Sequence, residues 1–256
     1  MGRSEKMESV IIRMVDNVKL KNSVLIVGLP GIGNVGKITA DFLIESIKAK
    51  KLANVFSHHL PPQVLMNEDA LARLVRNELY YKKRKEGDII FFTGDFQGLT
   101  SQGQYEICYK VLELGTKLDV KRIITLGGYQ IGKLMELPRV LGAYTSKEVK
   151  EEVEKLGVIF SKNEPGGGIV GGAGLFLGMG QELFELPGVC LMGETSGYFT
   201  DPKSAKQVTK ILVDYLKLGT DTASLDERIK EIEDITTRMI ENPSPEERKE
   251  DLGYFG

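Results

Sequence analysis

The residues most able to do chemistry are the glycines at 28, 31, 33 and 36 and the lysine after them, in "VLIVGLPGIGNVGKI" (24–38). Two phosphate-binding patterns fit this stretch. Gly31, Gly33 and Gly36 match G-x-G-x-x-G, where missing side chains let the backbone approach a pyrophosphate at a helix N-terminus. Gly31 through Lys37 match G-x-x-x-x-G-K, where backbone N–H groups and the lysine cradle phosphates. Both patterns are incomplete. A working P-loop needs Ser or Thr directly after its lysine to hold Mg²⁺; here Ile38 stands there, with Thr39 one residue out of register. A dinucleotide site wants an acidic residue about 20 positions on, and the corresponding "LANVFSHHLPP" offers His58 and His59 instead. These defects favour glycines that permit positive φ and close helix–strand contact. Gly31, Gly33, Gly36 and Lys37 stay on the page as a candidate ligand loop.

Other constellations are thinner. The second glycine cluster, "PGGGIVGGAGLFLGMG", either presents N–H groups to an anion or forms a tight crossover into a closely packed helix. Asp95 and Glu194 each follow an apolar strand and read as a carboxylate pair or as turn and cap residues. With both glycine loops, they are expected to share the crevice at the carboxyl ends of the sheet. The two histidines are adjacent, and on a strand they would point opposite ways, which argues against a Ser-His-Asp relay or a His-rich metal site. No C-x-x-C, H-E-x-x-H or G-x-S-x-G occurs. No catalytic residue is assigned, and no metal or cofactor is expected.

The elements that must position these residues follow from periodicity. "SVLIVGL" (23–29), "DIIFFTGD" (88–95), "VKRIITLGG" (120–128) and "GVCLMGE" read as buried strands ending at glycine turns. "NVGKITADFLIESIKAK", "SQGQYEICYKVLELGTKL", residues 173–185 and "DPKSAKQVTKILVDYLKLG" read as helices, the last with Asp201 as N-cap, Pro202 at its first position and Gly219 beyond its end. "ANVFSH" is a second strand and "GVIFS" a later apolar stretch. "LARLVRNELYY" alternates as a half-exposed strand near a sheet edge. Strands alternating with helices predict a doubly wound α/β fold on a mostly parallel sheet.

Composition narrows the class. A chain of 256 residues, 41% hydrophobic and 27% charged, buries a sizeable core. The net charge of −2 argues against nucleic acid or an anionic membrane as partner. No apolar run reaches the length of a membrane span, and "MGRSEKMESV" lacks a signal-peptide core, so a cytoplasmic location is expected. Cys108 and Cys190 lie in apolar segments and read as small core residues of a reducing compartment. Composition shifts after Gly219: residues 221–256 hold 11 acidic and 5 basic side chains, a net of −6 that leaves the rest at +4. The division predicted is an α/β domain at 1–220, a helix at 221–241 and a flexible tail at 242–256. Leu225, Ile229, Ile232 and Met239 form a narrow heptad-like seam interrupted by Thr236, for joining subunits or for docking on the chain's own domain. "NPSPEERKEDLGYFG" is expected to be extended or disordered until Leu252, Tyr254 and Phe255.

Six separated motifs carry a resemblance over about residues 13–220: "VGLPGIGNVGK", "HHLPPQVLMN", "GDFQG", "TLGGYQIG", "GGGIVGGAGLFLG" and "GETSGYFTDPKSA". The chain resembles the proteasome assembly chaperone family of archaea, related to the second subunit of the eukaryotic heterodimeric chaperone. The resemblance implies a fold similar to purine nucleoside phosphorylases. It also implies a non-enzymatic, ATP-independent homo-oligomer that assists α-ring assembly or opens the gate of the finished 20S proteasome. Such proteins dock a C-terminal hydrophobic–tyrosine–any tripeptide between neighbouring α subunits. Tyr254, Phe255 and Gly256 take those three places here, with Leu252 in support. Phe255 departs from the pattern, because it lacks a phenolic hydroxyl whose hydrogen bond contributes about 0.5–1.5 kcal/mol net.

Overall fold

The computed structural model describes residues 8–133, 135–162 and 166–219. The chain opens with β1 (Val10–Met14), then β2 (Ser23–Val27), a short 3-10 turn at Ile32–Asn34, and α1 (Val35–Ser46). Next come β3 (Lys50–Ser57), a hairpin of β4 (Val64–Met66) and β5 (Ala72–Leu74), then β6 (Asn77–Lys82) and β7 (Ile89–Gly94). The second half runs α2 (Ser101–Lys117), β8 (Val120–Gln130), β9 (Val140–Tyr144), α3 (Lys147–Glu154), α4 (Gly172–Phe184), β10 (Gly188–Thr195) and α5 (Pro202–Leu216).

Eight strands make one sheet in the order β1-β3-β6-β7-β2-β8-β10-β9. The centre, β7-β2-β8-β10, is parallel; the pairings outside it are antiparallel. The central strands are the continuous apolar runs of the sequence, because helices cover both of their faces. One face packs on α2 and α4, through Ile107, Val111, Phe176 and Met179. The other packs on α1, α3 and α5, through Leu43, Val153, Val208 and Leu212. Phe92 of β7 meets Phe176 of α4 with ring centroids 5.3 Å apart. A side chain buried as fully as these contributes roughly 1.5–3 kcal/mol. Both cysteines are free and buried, and burial pushes each thiol up to about 12.

Two local expectations need correction. "LARLVRNELYY" is not one edge strand: Ala72–Leu74 joins the small hairpin, while Asn77–Lys82 lies inside the main sheet between β3 and β7. Its alternation arises because Asn77, Leu79 and Tyr81 enter the core while the opposite face holds Glu78 against Lys51, Arg76 and Tyr80. The histidines do not point apart. β3 ends at Ser57, whose hydroxyl accepts the His59 N–H at 3.1 Å, and in the turn beyond the two rings meet with centroids 4.2 Å apart and planes tilted by 55°. The apolar stretch "GVIFS" runs along the outer edge of β9, where Ile159 bridges to Leu141 in parallel.

Candidate functional site

The loops that leave the parallel strands at their carboxyl ends meet around a cavity of about 260 Å³. Val27 of β2, Leu126 of β8, Met192 of β10, Gln97 beyond β7 and Ile169 before α4 contribute to its wall. Wider grooves of about 920 Å³ beside the histidine turn and about 800 Å³ beside β9 lack this convergence of parallel-strand loops.

The glycine loop reaches this place under tight steric demands. Gly33 has φ +61°, and a methyl there would lie 2.7 Å from Thr195 Oγ1. Gly36, inside α1, lets the helix sit on β8: an added Cβ would fall 2.5 Å from the Leu126 carbonyl oxygen. Asp201 donates its N–H to the Gly33 carbonyl at 2.9 Å, so the loop is also tied to the start of α5. Of the candidate residues, Gly31 and Gly36 line the cavity together with the second glycine cluster. Lys37 is not in its wall. Its ammonium pairs with Asp41 at 2.7 Å, and Asp41 also accepts from the Thr93 hydroxyl at 3.0 Å.

The two strand-end carboxylates are likewise spoken for. Asp95 takes a bidentate pair from Arg73, at 2.6 and 2.8 Å, and the Arg76 N–H at 3.0 Å. Burial pushes its carboxyl up, but these donors outweigh burial and hold it below its ordinary value. Glu194, only 2% exposed, accepts from Arg139 Nε at 2.9 Å and from the Arg139 backbone N–H at 3.1 Å. The Arg139 guanidinium holds it low against the opposing effect of burial. Each carboxylate therefore has its own arginine, and neither lines the cavity. At the histidine turn, His59 Nε2 lies 3.2 Å from Glu106, whose carboxyl is lowered to about 2 by the Ser9 hydroxyl first and the Gln102 amide next. Among the described residues no group of three or more His, Cys, Asp or Glu could hold a metal ion. No described helix is long and apolar enough to cross a membrane. Leu252, Tyr254, Phe255, Gly256 and the helix expected at 221–241 lie outside the described residues.

Sequence reasoning missed the residue that organises the cavity. Gln97 donates to the Pro30 carbonyl at 2.6 Å, accepts the Gly172 N–H at 2.8 Å and accepts from Gln104 at 2.6 Å. One amide thus joins the first glycine loop, the N-terminus of α4 and the first turns of α2. The Gly172 N–H that could face an anion is taken by this side chain. The available signal was a polar residue just beyond a buried parallel strand, in "GDFQG".

The profile of the PAC2 family matches residues 25–240. The chain belongs to the PAC2 family. A curated relative from Methanocaldococcus jannaschii, an uncharacterised protein, is 36% identical over 98% of this chain and 99% of its own length. Among solved structures, PbaB of Pyrococcus furiosus, an archaeal proteasome activator, is 38% identical with a TM-score of 0.85, covering 91% of this chain and 100% of that one. PbaA of the same organism, an archaeal homolog of proteasome-assembly chaperone, is 28% identical with a TM-score of 0.76, covering 94% and 95%. The mixed sheet with helices on both faces is thus the fold of solved PAC2 relatives.

Proposed function

We propose that this chain is a homo-oligomeric, ATP-independent assembly chaperone or activator of the proteasome, working in the cytoplasm without catalysis of its own. The observation that supports it most is the 38% identity to the proteasome activator PbaB along that protein's full length. In this reading Tyr254 and Phe255 bury their rings in a pocket between neighbouring α subunits of the 20S ring. The Gly256 carboxylate pairs with a cation there, a charge-assisted bond stronger than a neutral one. The 14 residues from 243 to 256 reach about 45 Å at ~3.3 Å each. Several tails on one oligomer gain about 10²–10⁴ in avidity where their spacing matches the ring pockets. The test compares the full chain with one lacking residues 254–256 in binding to 20S particles. Loss of binding with an unchanged oligomer supports the reading, and undiminished binding removes it.

The second reading is a small-molecule or nucleotide-binding enzyme using Gly31, Gly33, Gly36 and Lys37. The cavity at the carboxyl ends favours it; the pairing of Lys37 with Asp41 counts against a phosphate ligand. Calorimetry against a panel of nucleotides and nucleosides, repeated with Lys37→Ala, tests it: heat that the substitution weakens supports it.

A further inference from the structure

Not every glycine around the cavity is needed by the fold. Gly36 and Gly128 are: a methyl at either would fall within 2.5 Å of a backbone oxygen. Three others differ. Gly31 is extended, with φ −172°, and a methyl there meets only Gln97 Nε2 at 3.6 Å. A methyl on Gly127 meets only Met192 at 3.9 Å, and one on Gly168 meets nothing within 4 Å. None of the three has a left-handed φ. Backbone strain and packing among the described residues therefore leave all three positions open to a Cβ. All three line the same cavity, and the neighbours a methyl would touch, Gln97 and Met192, are also in its wall. What these glycines preserve is space.

The wall also defines what would fill that space. Among the described residues lining it, no side chain is charged; the polar ones are the amides of Gln97 and Gln130 and the phenol of Tyr129. The rest is aliphatic or thioether, from residues such as Leu29, Ile32, Leu126 and Met192. An anion entering here loses hydration and gains no cation in return, which costs far more than placing a neutral group. At the α4 N-terminus the Gly172 N–H is already accepted by Gln97 and is closed to an anion. The volume equals the share of roughly nine waters at ~30 Å³ each. It also sits where open α/β sheets bind ligands, outside the carboxyl ends of the strands.

We propose that this cavity is a binding site for a small uncharged molecule, mostly apolar with an amide-like or hydroxyl hydrogen-bonding edge, and that Gly31, Gly127 and Gly168 are there to leave room for it. The site differs from a phosphate loop, because Lys37 has no part in it.

Benzamide and benzoate have nearly the same shape and differ in charge, so they separate the two chemistries. Two-dimensional amide NMR of the full chain, titrated with each, should show saturable millimolar binding of benzamide, the range for a fragment this small. Shifts should be confined to residues around Gln97, Gly127 and Ile169, with benzoate at least about tenfold weaker, equivalent to ~1.4 kcal/mol. The double variant Gly31→Ala, Gly127→Val should keep its melting temperature and lose benzamide binding by about tenfold or more. Ala173→Leu, which fills the cavity from α4, should do the same. No saturation with benzamide, equal binding of benzoate, or undiminished binding by both variants would overturn the proposal. So would unfolding of the double variant, because those glycines would then be structural.

Discussion

Two residues define opposite uses of glycine at one loop. Gly33 cannot be replaced cheaply, since its φ of +61° and the approach of Thr195 act together. Gly33→Ala should destabilise by about 1–3 kcal/mol, measured by chemical denaturation. Gly31, two residues earlier, should tolerate alanine with no loss of stability. Charge acts at this scale too. Glu194 is held below its ordinary value of 4.5 by Arg139, so its contribution is complete above that pH and is lost as pH falls through the folded value. Arg139→Ala leaves a buried carboxylate with the Arg139 backbone N–H as remaining donor, and should cost about 1–3 kcal/mol at neutral pH. The variant should also lose less stability than wild type on going from pH 5 to about 3, by thermal melts across that range.

Elements are joined by side chains that reach out of their own segments. Gln97 belongs to no helix or strand, yet it binds the loop before α1, the start of α4 and Gln104 of α2. Gln97→Ala should loosen all three at once, so hydrogen exchange should rise at Gly172 and in the first turn of α2 while the far end of α2 stays protected. α5 depends on a local device instead. Asp201 accepts the Ser204 N–H at 2.9 Å and Pro202 begins the helix, so Asp201→Ala should cost about 1 kcal/mol in stability. The cap was readable in the sequence because its partners lie three residues apart. The Gln97 contacts were not, because Gly172 lies 75 residues away.

The whole molecule divides its charge unevenly, with −6 after residue 220 and +4 before it. Among the described residues, five helices cover the two faces of the sheet, and every one of them precedes Gly219. The proposed oligomerisation and proteasome binding belong to this scale, and deletion of residues 254–256 is expected to remove the second while leaving the first.

Sequence periodicity was enough for the parallel core. Strands buried on both faces must be continuous apolar runs, and helices against them must carry a stripe every three to four residues. That is why β2, β7, β8, β10 and four of the five helices were placed from composition along the chain. The short amphipathic α3 and the edge strands β1 and β9 carry weaker patterns and were not. Folding alone set the pairings across distance: Arg73 on Asp95, Arg139 on Glu194 and Gln97 on Gly172. The strand-end acids read as a carboxylate pair or as turn and cap residues, because residue type says nothing about which cation folds against each of them. The glycine spacing fits two incomplete phosphate patterns whose defects favour a turn and close packing; spacing alone does not say which glycine presses on a carbonyl, as Gly36 does, and which faces open space, as Gly31 does.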